Sequence, residues 1–95
     1  MVTHIVIFTW RAEVRAEQVE ALRQALNRLA AEFSGTAEIR HGPDLGFRDG
    51  NGDYALVATF PDRAGWDAYQ ADPRHKAVVR DFVTPIQAAR LTAQI

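Results

Sequence analysis

The sequence contains no cysteine, which excludes disulfide bonds and thiolate metal sites together. Its histidines stand far apart, no His-x-x-x-His pair occurs, and no acidic loop has the spacing of a calcium site. No glycine-rich phosphate loop runs directly into a helix, and no serine stands in a nucleophile elbow. We therefore expect the protein to use neither a metal ion nor another cofactor.

Long apolar runs are also missing. The run Ile5-Val6-Ile7-Phe8 is far shorter than the roughly 20 apolar residues of a membrane span. It is too short for the apolar region of a signal peptide, and the N-terminus lacks the basic residues that precede such a region. These absences predict a cytoplasmic protein that has no membrane partner.

Neither sign of charge is in excess, because the formal net charge is −1 and the basic residues are scattered along the chain. Binding to a polyanion needs a clustered positive surface. We therefore expect no nucleic-acid partner.

The chain is short, and its 95 residues predict a single domain that spans residues 1–95. A domain of this size buries only about 60–65% of its unfolded surface, so its stability is marginal. Without disulfide bonds, such domains depend on regular packing or on self-association.

Apolar patterning predicts four strands and three helices. β-Branched and aromatic residues indicate a strand over 2–10 whose two faces are both largely apolar. Apolar residues three and four positions apart indicate an amphipathic helix over 15–33. The other predicted elements are strands over 36–41, 53–60 and 89–95, a loop over 42–52, a helix that begins after Asp62, and a short helix over 73–82.

This β-α-β-β-α-β order is typical of the ferredoxin-like α+β fold, a four-stranded antiparallel sheet with its helices on one face. The helices leave the opposite face uncovered, and that face is predicted to carry Ile5, Ile7, Ala55, Val57 and Thr59. An exposed apolar surface of this kind indicates a partner. The simplest partner is a second copy, which predicts a homodimer that packs sheet against sheet.

The segment Tyr69 to Val79 carries the residues best suited to chemistry. Asp72 and Pro73 are typical of a helix start, and they place His75 at the third helical position. The helix N-terminus disfavours the imidazolium, so a neutral ring that can accept a proton is expected. Tyr69 can donate a proton near the same position, and His4 can approach from the first strand. These three catalytic candidates would line a small-molecule cavity with Val6, Phe8 and Val78.

Each of these residues also has a purely structural interpretation. His4 could be a hydrogen-bonded core residue, Tyr69 a packing residue, and His75 a solvated residue at a helix start. His41, beside Gly42-Pro43, fits a loop residue better than a site residue. Trp66 is expected to fill the core and Trp10 to lie at the rim of a dimer.

Three segments together resemble the stress-responsive dimeric α/β-barrel (Dabb) family. They are His4-Ile-Val-Ile-Phe8, Tyr54-Ala-Leu-Val-Ala-Thr-Phe60 and Trp66-Asp-Ala-Tyr-Gln-Ala-Asp-Pro-Arg-His-Lys-Ala-Val-Val79. The Tyr-x-x-x-Pro-x-His pattern combined with the N-terminal His-Ile-Val is the most specific part of the resemblance. It implies a ferredoxin-like protomer that pairs into a dimeric α/β-barrel.

The resemblance extends to the plant polyketide cyclases of this family, which perform an intramolecular aldol condensation with retention of the carboxylate. By that similarity His75 would remove a proton between carbonyl groups, with Tyr69 and His4 beside it. The resemblance also places Leu22, Leu26 and Ile86 along the cavity, where those cyclases are more aromatic. The cyclases have a histidine where this chain has Asp72.

Three functions are compatible with the sequence. The first is a cofactor-independent cyclase or lyase, or a binding protein, that acts on a small apolar carbonyl compound. The second is a non-catalytic, stress-associated structural or interaction dimer. The third is a cofactor-independent oxygenase, which is disfavoured because nothing in the sequence selects a dioxygen site.

Overall fold

The computed structural model describes all 95 residues and consists of one antiparallel sheet with helices packed against it. The strands are β1 (Val2–Trp10), β2 (Glu38–Pro43), β3 (Tyr54–Phe60) and β4 (Gln87–Gln94). The helices are α1 (Ala16–Glu32), α2 (Arg63–Ala71) and α3 (Pro73–Val78). Helix α3 continues into a π-helical turn (Val79–Val83). The spatial order of the strands is β2-β3-β1-β4. The predicted ferredoxin-like fold is confirmed. None of the helices is both long and apolar enough to cross a membrane.

Strand β1 lies between β3 and β4 and divides its residues between the two faces of the sheet. His4, Val6 and Phe8 are buried beneath the helices. Ile5 is half-buried on the opposite face and Ile7 is 41% exposed there. Both rows are largely apolar, although the helices of the chain cover only one of them.

Helix α1 supplies much of the core. Its stripe Leu22, Leu26 and Leu29, with Phe33 at the C-terminal end, is buried, whereas Asn27 and other residues of the outer face are exposed. The predicted helix is therefore placed correctly to within a residue at each end. The stripe packs against sheet residues of the same cluster, Val6, Phe8, Tyr54, Leu56, Ala58 and Phe60.

The uncovered face of the sheet is mainly apolar, and we call it the open face. The register pairs Ile5 with Val57 and Ile7 with Ala55 across β1 and β3. On the other side Ile7 lies opposite Leu91, which is 76% exposed. The apolar part of the open face therefore consists of Ile5, Ile7, Ala55, Val57, Leu91 and Ala93. The predicted Thr59 lies on the same face opposite Thr3, and Glu38 and Arg40 of β2 border it.

Three predicted elements have different bounds in the structure, and one of them, β4, begins two residues earlier than predicted. Strand β2 continues through Gly42 and Pro43, which were assigned to a loop, and Pro43 pairs with Tyr54. Proline is tolerated there because β2 is an edge strand, where one side of the backbone needs no partner. The helix predicted over 73–82 is divided between α3 and the π-helical turn, in which the Thr84 N–H donates to the Val79 carbonyl at 2.8 Å.

Leu22 offers a test of how strongly the core depends on α1, because its side chain is completely buried. We expect Leu22→Ala to lower the free energy of unfolding by about 2–5 kcal/mol, through lost apolar burial and the cavity that remains. Chemical denaturation at fixed protein concentration measures this change. Arg28→Ala, at an exposed position of the same helix, should have little effect; equal losses in both variants would contradict this role.

Candidate functional site

A cavity of about 160 Å³ lies between the sheet and the helices. Dry protein cavities of roughly this size, about 150 Å³, hold a benzene molecule. Most of the lining is apolar, which is typical of small-molecule sites. The lining residues come from all layers of the fold: His4, Val6, Phe8, Leu26, Leu29, Leu56, Trp66, Tyr69, Gln70, His75, Val78, Val79, Val83, Arg90, Thr92 and Gln94.

The junction between α2 and α3 brings Tyr69 and His75 together. Asp72 caps α3, because its carboxylate accepts the backbone N–H of Arg74 at 2.8 Å. The Arg74 guanidinium pairs with Asp72 at 2.9 Å and with Glu32 of α1 at 3.3 Å, which ties the junction to the first helix. Across this junction the rings of Tyr69 and His75 lie 4.3 Å apart, centre to centre.

His75 is half-buried in the cavity wall, and burial is the main cause that lowers its pKa. The positive charge of Arg90, and that of His4 when it is protonated, act in the same direction, whereas the Gln70 carbonyl and Asp72 oppose it. The Gln70 carbonyl is the larger of the two opposing causes, although the buried Nδ1 atom makes no hydrogen bond of acceptable geometry within the chain. A neutral ring is therefore favoured near pH 7, but desolvation causes this more than the helix N-terminus that the sequence suggested.

Tyr69 is a buried hydrogen-bond donor. Its ring lies 5.2 Å from the rings of Phe33 and Phe60, and only 2% of the residue is exposed. Burial raises the pKa of its hydroxyl to about 12, so the phenol stays protonated at neutral pH. It can therefore donate a hydrogen bond to a group in the cavity.

His4 enters the cavity from β1 and is also buried. Its Nδ1 lies 3.0 Å from the side-chain nitrogen of Gln94, which can only donate, so the hydrogen of the neutral ring is on Nε2. Burial lowers the pKa of His4, and the charge of Arg90 lowers it further. The edge of the ring faces Trp66 at 6.0 Å between ring centres.

The residues predicted to line the site divide into two groups. Val6, Phe8, Leu26 and Val78 line the cavity with the three catalytic candidates. Leu22 and Ile86 do not; both are fully buried in the core. These two were assigned from the resemblance, and they lie behind the residues that form the cavity surface.

The prediction that His41 is a loop residue was wrong. It is part of β2 rather than a loop, and its Nδ1 lies 2.7 Å from the Tyr54 hydroxyl, away from the cavity. Trp66, expected in the core, is half-buried and lines the cavity. Trp10 stacks on Phe8 at 5.4 Å between ring centres.

Sequence reasoning missed the polar wall of the cavity. Arg90, Thr92 and Gln94 occupy alternate positions of β4, and register places Thr92 opposite Val6 and Gln94 opposite His4. The alternation over 90–94 was visible in the sequence. The sequence did not reveal which face of the sheet these residues occupy, because that depends on the pairing of β4 with β1.

The sequence profile of the Stress responsive A/B Barrel Domain (Dabb) matches residues 2–94. The chain belongs to this family. A dimeric ferredoxin-like protein of unknown function from Thermobifida fusca is 35% identical, with a TM-score of 0.91 over 99% of this chain and 88% of that one. Among the curated proteins, none matches the chain.

Two further solved structures share the fold of this Dabb chain. A dimeric ferredoxin-like protein of unknown function from Jannaschia sp. is 26% identical, with a TM-score of 0.79 over 99% of this chain and 96% of that one. The hydroxynitrile lyase of Passiflora edulis is 19% identical, with a TM-score of 0.82 over 99% and 90% of the two chains. The likeness to the lyase is one of fold.

The buried imidazoles predict a specific pH dependence of stability. His75 has a lower pKa in the folded state than its ordinary value of 6.5, so the unfolded chain binds its proton first as pH falls. Stability should therefore be complete above about pH 6.5 and should decline below it. Urea unfolding between pH 7.5 and 5.5 measures this slope.

In His75→Gln the slope should fall by up to about one bound proton. Lys76→Gln, an exposed neighbour on α3, should retain the slope of the wild type. An unchanged slope in His75→Gln would show that burial of this ring does not affect its titration.

Proposed function

We propose that the chain acts as a single-domain homodimer that pairs through the open face. Ile7, Val57 and Leu91 are large apolar residues on that face, and each is more than a third exposed in one chain. Leu45, in the loop after β2, is 75% exposed and borders the same surface depression as Ile7 and Leu91. An apolar surface of this kind supports an interface, and the T. fusca and Jannaschia relatives are described as dimeric.

We further propose that each protomer binds a small apolar carbonyl compound in its cavity and converts it by acid–base chemistry. The observation that carries this proposal is the convergence of a neutral imidazole, His75, and a protonated phenol, Tyr69, in one apolar cavity. Because the pKa of His75 is lowered and that of Tyr69 is raised, the imidazole is suited to act as a general base and the phenol as a general acid.

In the proposed reaction, His75 removes a proton from the carbon next to a carbonyl group. The electron pair of the broken C–H bond is delocalised into the carbonyl group, which gives an enolate. The negative oxygen of the enolate accepts a hydrogen bond from Tyr69. The enolate carbon then forms a bond to a second carbonyl carbon, and the resulting alkoxide takes up the proton that His75 holds. One C–H bond and the π bond of the attacked carbonyl are replaced by a C–C bond and an O–H bond, so no oxidant or reductant is needed. The chemistry is that of an aldol-type cyclase or, in reverse, a lyase.

His4 has a positioning role in this proposal. Its Nδ1 is occupied by Gln94, so Nε2–H remains as a donor on the cavity side of β1. A second donor opposite Tyr69 would hold the carbonyl oxygen in place while His75 acts on the neighbouring carbon. The lyase from Passiflora edulis shares this fold, and a lyase reaction is within the proposed class.

The dimer can be tested by placing a charge on the open face. We expect wild-type protein to sediment as a dimer at micromolar concentration and Ile7→Asp to sediment as a monomer, because burying an unpaired carboxylate at the interface is costly. Asn27→Asp, on the exposed side of α1, should remain dimeric. A monomeric wild type, or a dimeric Ile7→Asp, would contradict this interface.

The base can be tested without knowing the natural substrate. Exchange of the methyl protons of acetophenone for deuterium, followed by NMR in D₂O, reports proton removal next to a carbonyl. We expect wild-type protein to accelerate exchange and His75→Ala to lower that acceleration by about 10²–10⁴-fold. Tyr69→Phe should lower it less, because the phenol assists and does not accept the proton.

His41→Ala is the matched control, since this histidine lies outside the cavity and should leave exchange unchanged. Melting curves of all variants show whether each one folds. If wild type and His75→Ala exchange at the same rate, and His75→Ala only lowers the melting temperature, the chain is better described as a non-catalytic dimer.

A further inference from the structure

Arg90 is a cation without a carboxylate partner at the cavity. The ion pairs of the chain use other arginines, those at 15, 23, 63, 74 and 80. Arg90 is exposed, yet it lines the cavity from β4. Its guanidinium is therefore free to bind a group that enters from solvent.

No acidic side chain lines the two spaces that Arg90 borders. No aspartate or glutamate is among the residues that line the cavity. A groove just outside shares Gln70, His75, Val79 and Arg90 with the cavity, and its remaining lining residues are Lys76, Arg80 and Thr84. Arg80 pairs with Asp81, whereas Lys76 makes no ion pair. The entrance is consequently positive although the chain as a whole has a net charge of −1.

The position of Arg90 relates it to the proposed chemistry. Arg90 lies opposite Phe8 in the register of β4 and β1, and it lines both the cavity and the adjoining groove together with His75. Its positive charge lowers the pKa of His75 and of His4. The apolar residues Val6, Phe8 and Leu56 line the same cavity. A ligand with one charged end would thus have its polar group at Arg90 and its body among apolar side chains.

We propose that the ligand of this cavity is an apolar compound of about benzene size that carries a carboxylate, and that Arg90 binds the carboxylate. The proposal rests on the function given above and names the class of compound that the same site takes. A planar guanidinium matches a carboxylate with two parallel hydrogen bonds, which gives orientation as well as affinity. Thr92, on the same face of β4, can add a hydroxyl donor.

Occupation of Arg90 would also change the neighbouring base. The charged and titratable groups that surround His75 are His4, Tyr69, Asp72, Lys76, Arg80 and Arg90. A bound carboxylate offsets the positive charge of Arg90 and stabilises the imidazolium of His75. Binding of the anion therefore assists proton uptake by His75, which couples recognition of the substrate to the base.

The test compares two ligands of equal shape and different charge. Benzoate carries the proposed carboxylate, and benzamide is its neutral counterpart. We expect calorimetry on the wild-type protein to show binding of benzoate, with benzamide at least about tenfold weaker, and the fluorescence of Trp66 to change as the cavity fills. The affinity for benzoate should fall as salt is added.

Arg90→Gln should remove the preference for benzoate, whereas Arg28→Gln, an exposed arginine on α1, should retain it. NMR titration of the histidine rings provides a second measurement, in which benzoate raises the pKa of His75 in wild type and not in Arg90→Gln. This shift separates direct binding from a structural effect of the substitution.

Each other outcome overturns a specific statement. Equal binding of benzoate and benzamide, or a preference that persists in Arg90→Gln, would overturn the carboxylate proposal and leave the proposed small-molecule cavity in place. Tighter binding of phenyl phosphate than of benzoate would assign the head group to a phosphate instead. Failure of both benzoate and benzamide to bind would overturn the carboxylate proposal and the small-molecule site together.

Discussion

The two-residue period of β1 is the constraint on which the rest of the structure depends. Alternate side chains of a strand point to opposite faces of its sheet, and helices cover only one of those faces here. His4, Val6 and Phe8 consequently form the floor of a cavity, while Ile5 and Ile7 lie on the face that the helices leave uncovered. One row of side chains on β1 thus lines the cavity, and the other row forms part of the open face.

The junction after α2 converts a short sequence into a defined geometry. Asp72 ends one helix and caps the next, and Arg74 fastens it to Glu32, so Tyr69 and His75 are held on one wall. In the π-helical turn that follows, backbone hydrogen bonds join residues five apart instead of four. Val79 and Val83, at its two ends, both line the cavity. The neutral state of His75 then follows mainly from what surrounds the ring, and only secondarily from the helix on which it stands.

Local chemistry in the sequence was enough to predict much of this arrangement. Runs of β-branched residues predicted β1 and β3, and the apolar stripe predicted α1. Asp62 and Asp72 predicted the starts of α2 and α3. What failed depends on pairing over long distances in the chain. Strand register decided that Arg90 and its neighbours on β4 enter the cavity, and edge position decided that Pro43 could belong to a strand. Likewise, depth within the helix–sheet layer, which sequence does not reveal, separated Leu26 from Leu22.

The alternation of β1 also limits how the chain can vary in evolution. Substitutions in the cavity row and in the open-face row can accumulate separately, because the two rows contact different surroundings. An inserted or deleted residue near the start of the strand has a different effect, since it rotates every later side chain to the opposite face. Such a change would turn Ile5 and Ile7 toward the helices and Val6 and Phe8 toward the open face at once. Relatives that keep both surfaces should therefore differ in length within loops, such as 44–53, and not within this strand.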